Sequence, residues 1–138
     1  MSIDLDTFID ARRHIGFAYF EHDCATIAAD WVREQRGTDP LEPLRAQGGA
    51  LAPKRLLTAL RHVRAVGGFQ AAASTLLGPA LPGLRAQRGD VVLARSGGRV
   101  GRVSGHSFGI CTGSNIVAPG KDRLQFLPLT AGVAAWRV

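Results

Sequence analysis

The hydrophobic pattern of this chain changes period at Gly89, and that change constrains the fold more than any other feature. Before it, apolar residues recur at helical spacing. Leu5, Phe8, Ile9 and Arg12 form an i, i+3, i+4, i+7 stripe, which predicts a first helix capped by Ser2 or Asp4 and running to about Arg13, with Gly16 ending it. A second helix is predicted from Asp23 to about Arg36, stopped by Gly37, with Ala28, Trp31, Val32 and Gln35 along one side. Thr38-Asp39-Pro40 reads as a turn and Leu41 to Ala50 as an irregular loop. Pro53 suits the first position of a third helix, whose apolar face is Leu56, Leu57, Leu60, Val63 and Arg64 and whose stop is Gly67-Gly68. Phe69 to Leu77 reads as a fourth helix, and Ala80 to Arg88 as a Pro/Gly-broken connection.

After Gly89 the apolar runs are short and separated by turn residues. Asp90 to Ala94 reads as a buried strand, Ser96-Gly97-Gly98 as a hairpin turn, and Val100 to Val103 as the returning arm. Ser107 to Thr112 is a second strand, turned by Gly113-Ser114-Asn115 into Ile116-Val117-Ala118. Pro119 to Asp122 is another turn before Arg123 to Leu127, and Ala134 to Val138 is a closing strand. Helices first and a strand meander second predict an α+β fold, with N-terminal helices packed on a C-terminal antiparallel sheet. With 138 residues, the chain is expected to be a single domain over 1–138.

Bulk properties exclude several function classes. Hydrophobic residues make up 46% and charged residues 20%, with no low-complexity tract, so an ordered globular protein is expected. The net charge of +6 comes mostly from arginines scattered along the chain without an aromatic platform, which argues against nucleic-acid binding. The acidic start Met1 to Asp6 does not read as a signal peptide, and no run approaches the roughly 20 apolar residues of a membrane span. Neither export nor membrane insertion is therefore expected. Cys, His and Asp do not cluster at metal-ligand spacing, so no metal or cofactor is expected, and two distant cysteines make no disulfide framework.

Asp23-Cys24 is where the sequence points to chemistry. A cysteine on a helix's first turn meets unpaired N–H groups and the positive end of the helix dipole, and both favour the nucleophilic thiolate. Asp23 is placed to cap that helix. A cysteine hydrolase also needs a base within reach of the sulfur and a group that orients the base. Four histidines are available. His14 and His62 read as surface or helix-face residues, which leaves His106 and, beside the cap, His22.

An Asp-Cys helix start, a helical linker, the Gly89-Asp90-Val91-Val92-Leu93 strand and the Ser107-Phe108-Gly109-Ile110-Cys111-Thr112-Gly113 strand follow in an order that resembles the NlpC-type branch of the papain-like cysteine hydrolases. Within that likeness, Asp23-Cys24, Ala29-Asp30-Trp31-Val32, Gly37-Thr38-Asp39-Pro40, Arg88 to Leu93 and Ala135-Trp136-Arg137-Val138 are similar to an uncharacterised family encoded in bacteriophage tail modules. The resemblance implies a papain-like fold with Cys24 at the nucleophile position. It places Ser107 where the family has its histidine, with His106 one residue early. The polar position that orients the base falls in Ile116 to Pro119, where no side chain suits it.

A one-residue slip on a strand turns a side chain to the opposite face. On this register Ser107, Gly109 and Cys111 are expected to face the helix carrying Cys24, with Gly109 at a close helix–sheet approach, and His106, Phe108 and Ile110 to face away. A β-bulge at Gly105 that turns His106 back is one alternative, and an imidazole from His22 is another. A Cys24–Cys111 disulfide is not expected, because Cys111 lies about 13 Å along the strand from the Ser107 position.

The resemblance thus implies a phage tail component near the tail tip, made in the host cytoplasm and carried in the virion, with a catalytically degenerate fold. Its expected partners are other tail proteins. The rival expectation is an active cysteine peptidase or amidase that cleaves peptidoglycan peptides, with Cys24 as nucleophile and His106 as base.

Overall fold

The computed structural model describes residues 3–100 and 103–138, with 97–100, 103 and 104 described by their backbone alone. Five α-helices precede or flank a six-stranded sheet: α1 (Leu5–Arg12), α2 (Cys24–Arg36), α3 (Glu42–Arg45), α4 (Leu56–Ala65) and α5 (Phe69–Leu77), then β1 (Leu81–Pro82), β2 (Val91–Val100), β3 (Val103–Cys111), β4 (Ile116–Pro119), β5 (Leu124–Leu127) and β6 (Gly132–Trp136). The strand order is β1-β6-β2-β3-β4-β5 and every pairing is antiparallel. The α+β class read from the change of period is therefore the observed one.

Local chemistry sets the boundaries. Asp4 caps α1 by accepting the Thr7 N–H at 2.7 Å. Gly37 ends α2 in the left-handed conformation at φ 81°, its N–H donating to the Arg33 carbonyl at 2.8 Å. Two regions read as irregular hold structure. A short α3, with Pro43 in its first turn, sits inside the expected 41–50 loop, and Leu81 and Pro82 pair with Ala135 and Ala134 at the sheet edge. The helix expected from Pro53 begins at Leu56, because Lys54 at φ 53° is left-handed and cannot belong to it.

The expected hairpin turn at Ser96-Gly97-Gly98 lies inside β2. The β2–β3 ladder shifts register between Arg95 and Arg99, then resumes to the pair Val100 and Val103. Of the returning arm expected at Val100 to Val103, residues 101–102 lie outside the described residues.

The sheet is buried on both faces. On the helix side, Val91, Leu93, Ile110, Val117, Leu124, Ala134 and Trp136 pack with Leu5, Phe8 and Ile9 of α1 and with Ile27, Ala28, Trp31 and Val32 of α2. On the far side, Val92, Ala94, Cys111, Ile116 and Ala135 pack with Leu81 and Leu127 of the same sheet and with Ala86, Leu129 and Ala131. Each buried Val, Leu, Ile or Phe among these contributes roughly 1.5–3 kcal/mol. Both tryptophans belong to this core. Trp31 donates Nε1–H to the Gly89 carbonyl at 2.8 Å and Trp136 donates to Ser74 Oγ at 3.2 Å, so neither indole leaves a buried donor unpaired.

This layering corrects the expected facing of β3. Phe108 and Ile110 pack on the helix side while Cys111 lies on the far side. Gly109 does not mark a helix–sheet approach either: a Cβ there would lie 2.6 Å from the Val117 carbonyl and 2.7 Å from Ile116 Cγ2, both on β4.

Candidate functional site

The site begins with the cap of α2. Asp23 uses both carboxylate oxygens on backbone donors, Oδ1 accepting from Thr26 N–H and Oδ2 from Phe20 N–H, each at 2.8 Å. The second bond holds Phe20 at φ 66°, a left-handed conformation that a bulky side chain rarely adopts. One carboxylate thereby starts the helix and fixes the aromatic turn before it, where Ala18 and His22 form an isolated bridge and Phe17 stacks edge-on against Tyr19.

Cys24 is the first residue of α2, and its sulfur meets the free edge of β3. Cys111 exchanges backbone hydrogen bonds with Asp90 and Gly89 on the β2 side, at 2.9 and 2.8 Å. Backbone groups alternate sides along a strand, so those of Phe108, three residues earlier, point to the β4 side. There the β3–β4 ladder covers only Ile110 with Val117 and Cys111 with Ile116. The Phe108 N–H is left for the sulfur, and the Ser107 hydroxyl and the Ala25 backbone lie beside it. Ser107 is buried and its hydroxyl reaches the Phe108 carbonyl at 3.1 Å.

Two other effects oppose these groups. Burial pushes the Cys24 thiol above its ordinary range and the Asp23 carboxylate pushes it further, and together they outweigh the hydrogen bonds from Phe108, Ser107 and Ala25. The preference for thiolate at a helix N-terminus is thus opposed here by desolvation and by the Asp23 charge.

His106 pairs with Arg95 in an unbroken ladder running to Ile110, so it shares the helix-facing side with Phe108 and Ile110. The expectation that it faces away is corrected. The register irregularity, with Gly105 at φ 88°, precedes His106 and is not needed to turn it. His106 is exposed and lines the same cavity as Cys24 and Ser107, yet among the described residues its side chain makes no hydrogen bond or ion pair.

His22 is 8% exposed, lines no part of that cavity, and neither ring nitrogen has a hydrogen-bond partner among the described residues. Burial, then the Arg12 guanidinium, hold its pKa below the ordinary value against Gly16, Asp30 and Asp23. His14 is exposed, whereas His62 lines the cavity. Asp90 is a turn residue, accepting Gln87 N–H at 2.8 Å and Arg137 Nε at 3.4 Å. Ile116 to Pro119 is buried and apolar, with no side chain to orient an imidazole. Both cysteines are free, and among the described residues no three His, Cys, Asp or Glu side chains gather to hold a metal ion. No helix is long and apolar enough to cross a membrane among the described residues.

What sequence reasoning missed is the cavity itself, whose walls come from α2, α4, α5 and the 40–54 segment. The available signal was the 41–54 stretch, whose Leu41, Leu44 and Leu51 are more apolar than a solvated loop requires.

No curated protein and no solved structure matches this chain. A family profile described as Domain of unknown function (DUF6950) matches residues 2–138, and on that near-complete span the chain belongs to the DUF6950 family.

Proposed function

We propose that this protein is a bacteriophage tail component, a structural or assembly part near the tail tip, with a catalytically degenerate NlpC-like papain fold. Its partners are then other tail proteins and its location the virion, after synthesis in the host cytoplasm. The order of elements supports the reading: a helix opening with Asp23-Cys24, then a sheet whose β3 packs against that helix.

One observation carries the inert assignment. The groups that bear on the Cys24 thiol include the Ser107 hydroxyl and the Phe108 and Ala25 backbones, none of which accepts a proton at neutral pH. A cysteine hydrolase without its base loses orders of magnitude in rate. The lining around the thiol is also largely apolar, which suits the charged stem peptides of peptidoglycan poorly. Phage carrying Cys24→Ala should assemble and infect at wild-type titre. Intact particles that fail to infect would sink this reading.

A second reading is favoured by one observation, the placement of His106 on the helix-facing side of the cavity that holds Cys24. On it, the protein is a cysteine peptidase or amidase acting on peptidoglycan peptides. The Cys24 thiolate attacks the amide carbonyl, His106 takes and returns the proton, and the α2 N-terminal amides stabilise the oxyanion. The two readings separate by the pH profile of Cys24 alkylation. A thiolate–imidazolium pair keeps reacting below pH 6 and loses that reactivity in His106→Ala, whereas an isolated thiol with a raised pKa reacts only under alkaline conditions.

A further inference from the structure

Beside Cys24, α2, α4, α5 and the 40–54 segment enclose a cavity of about 460 Å3. That volume falls within the range of small-molecule sites. Its walls are apolar, formed by residues such as Val32, Leu41, Leu60, Val63, Ala73 and Leu76. Helix α4 closes one side without burying any residue fully, so its apolar face has the cavity rather than the core as its partner.

Two further features mark a built site. The two non-glycine residues with left-handed backbone among those described, Phe20 and Lys54, both line this cavity. Strain of that kind persists where surrounding structure holds it, and it concentrates at ligand sites. The charge of the lining is also one-sided. Arg45 and Lys54 contribute cations, and the single carboxylate, Asp23, has both oxygens committed to backbone N–H groups. Arg45 is paired with Asp39, whereas Lys54 has no ion pair among the described residues. An apolar chamber with a spare ammonium at its rim complements an apolar chain ending in an anion.

We propose that this cavity binds one long-chain aliphatic carboxylate, its chain along Leu60, Ala73 and Leu76 and its head group at Lys54. The proposal does not depend on whether Cys24 is catalytic or on where the protein resides.

The test uses the purified full-length chain, stripped of lipid, and three probes with the same twelve-carbon chain: laurate, dodecanol and dodecyltrimethylammonium. Displacement of a fluorescent fatty acid reports binding. Laurate should bind saturably at one site, with dodecyltrimethylammonium at least roughly tenfold weaker, the factor expected when a charge-assisted contact is lost. Lys54→Glu should weaken laurate by about the same factor and leave dodecanol unchanged. Leu60→Trp and Ala73→Trp should each fill the chamber and abolish binding; circular dichroism checks the fold, and if the Ala73 variant unfolds the Leu60 variant decides. Absence of saturable laurate binding, as expected if the chamber instead receives a protein segment, would overturn the proposal. Equal affinity for the three head groups would do so as well, as would binding undiminished in folded Leu60→Trp.

Discussion

Replacing Asp23 with asparagine removes one acceptor and one charge while keeping the shape of the side chain. Both Asp23 oxygens accept a backbone N–H at 2.8 Å, one from Thr26 inside α2 and one from Phe20 in the preceding turn. Asparagine has one carbonyl oxygen, so its NH2 group must face one of those donors. Losing one of the two bonds and leaving its donor unsatisfied costs about 1–2 kcal/mol. For a chain of this size that lowers the melting temperature by roughly 3–8 °C. Asp23→Ala loses both bonds and releases the left-handed Phe20, for about 2–3 kcal/mol. The charge has a separate consequence. Asp23 raises the Cys24 pKa, so removing its negative charge moves the thiol's titration to lower pH even as the protein becomes less stable. Urea unfolding reads the first effect, and the pH midpoint of iodoacetamide alkylation reads the second, with Cys111 fully buried and silent in the native protein. An unfolding midpoint equal to wild type would refute the two-bond account of the cap. An unmoved alkylation midpoint would refute the electrostatic one.

Three other outcomes test the core and its buried groups. Gly109→Ala places a Cβ 2.6 Å from the Val117 carbonyl and should destabilise by at least about 2 kcal/mol in urea, because β4 backbone has to move; a change below about 0.5 kcal/mol would contradict the packing. Trp31→Phe leaves the Gly89 carbonyl without its donor and should cost about 1–3 kcal/mol by the same assay, with α1 and α2 still helical by circular dichroism. His22 has a folded pKa below its ordinary value of about 6.5, so the unfolded chain takes up the proton first. Stability is therefore full above about pH 6.5 and declines as pH falls below it toward the folded pKa. His22→Phe should flatten that slope between about pH 7 and 5.5; a wild-type slope in the variant would assign it elsewhere. Asp30, whose pKa burial raises, acts in the carboxylate range and with the opposite sign.

The fold class and most helix positions were legible because each rested on a local signal. The Leu5, Phe8, Ile9 stripe, the Asp23 cap and the Gly37 stop all act within one or two helical turns, and all three perform those roles. The strands after Gly89 were equally plain in number. The hairpin turn was misplaced because Ser96-Gly97-Gly98 carries turn chemistry yet sits at a register irregularity inside β2, where glycine serves the bulge as well as it would serve a turn. The Lys54 distortion had no signal, since nothing about lysine announces a left-handed backbone.

The facing of β3 failed for a deeper reason. Alternation tells which residues share a face, and Ser107, Gly109 and Cys111 do alternate with His106, Phe108 and Ile110. It identifies the buried face only when the other face is wet. Here helices cover one side and Leu81, Ala86, Leu127, Leu129 and Ala131 pack on the other, so both sets contain buried residues and the phase is undetermined by the strand itself. Family likeness supplied a phase, and the packing of Phe108 and Ile110 against α2 reversed it. Ser107 nevertheless reaches Cys24, because the sulfur lies at the strand's edge, where residues from either face can meet it. A nucleophile approaching a strand edge-on relaxes the rule that a base must sit on one particular face. Whether His106 serves Cys24 is then decided by the side chain's reach and by the thiol's ionisation, not by strand parity.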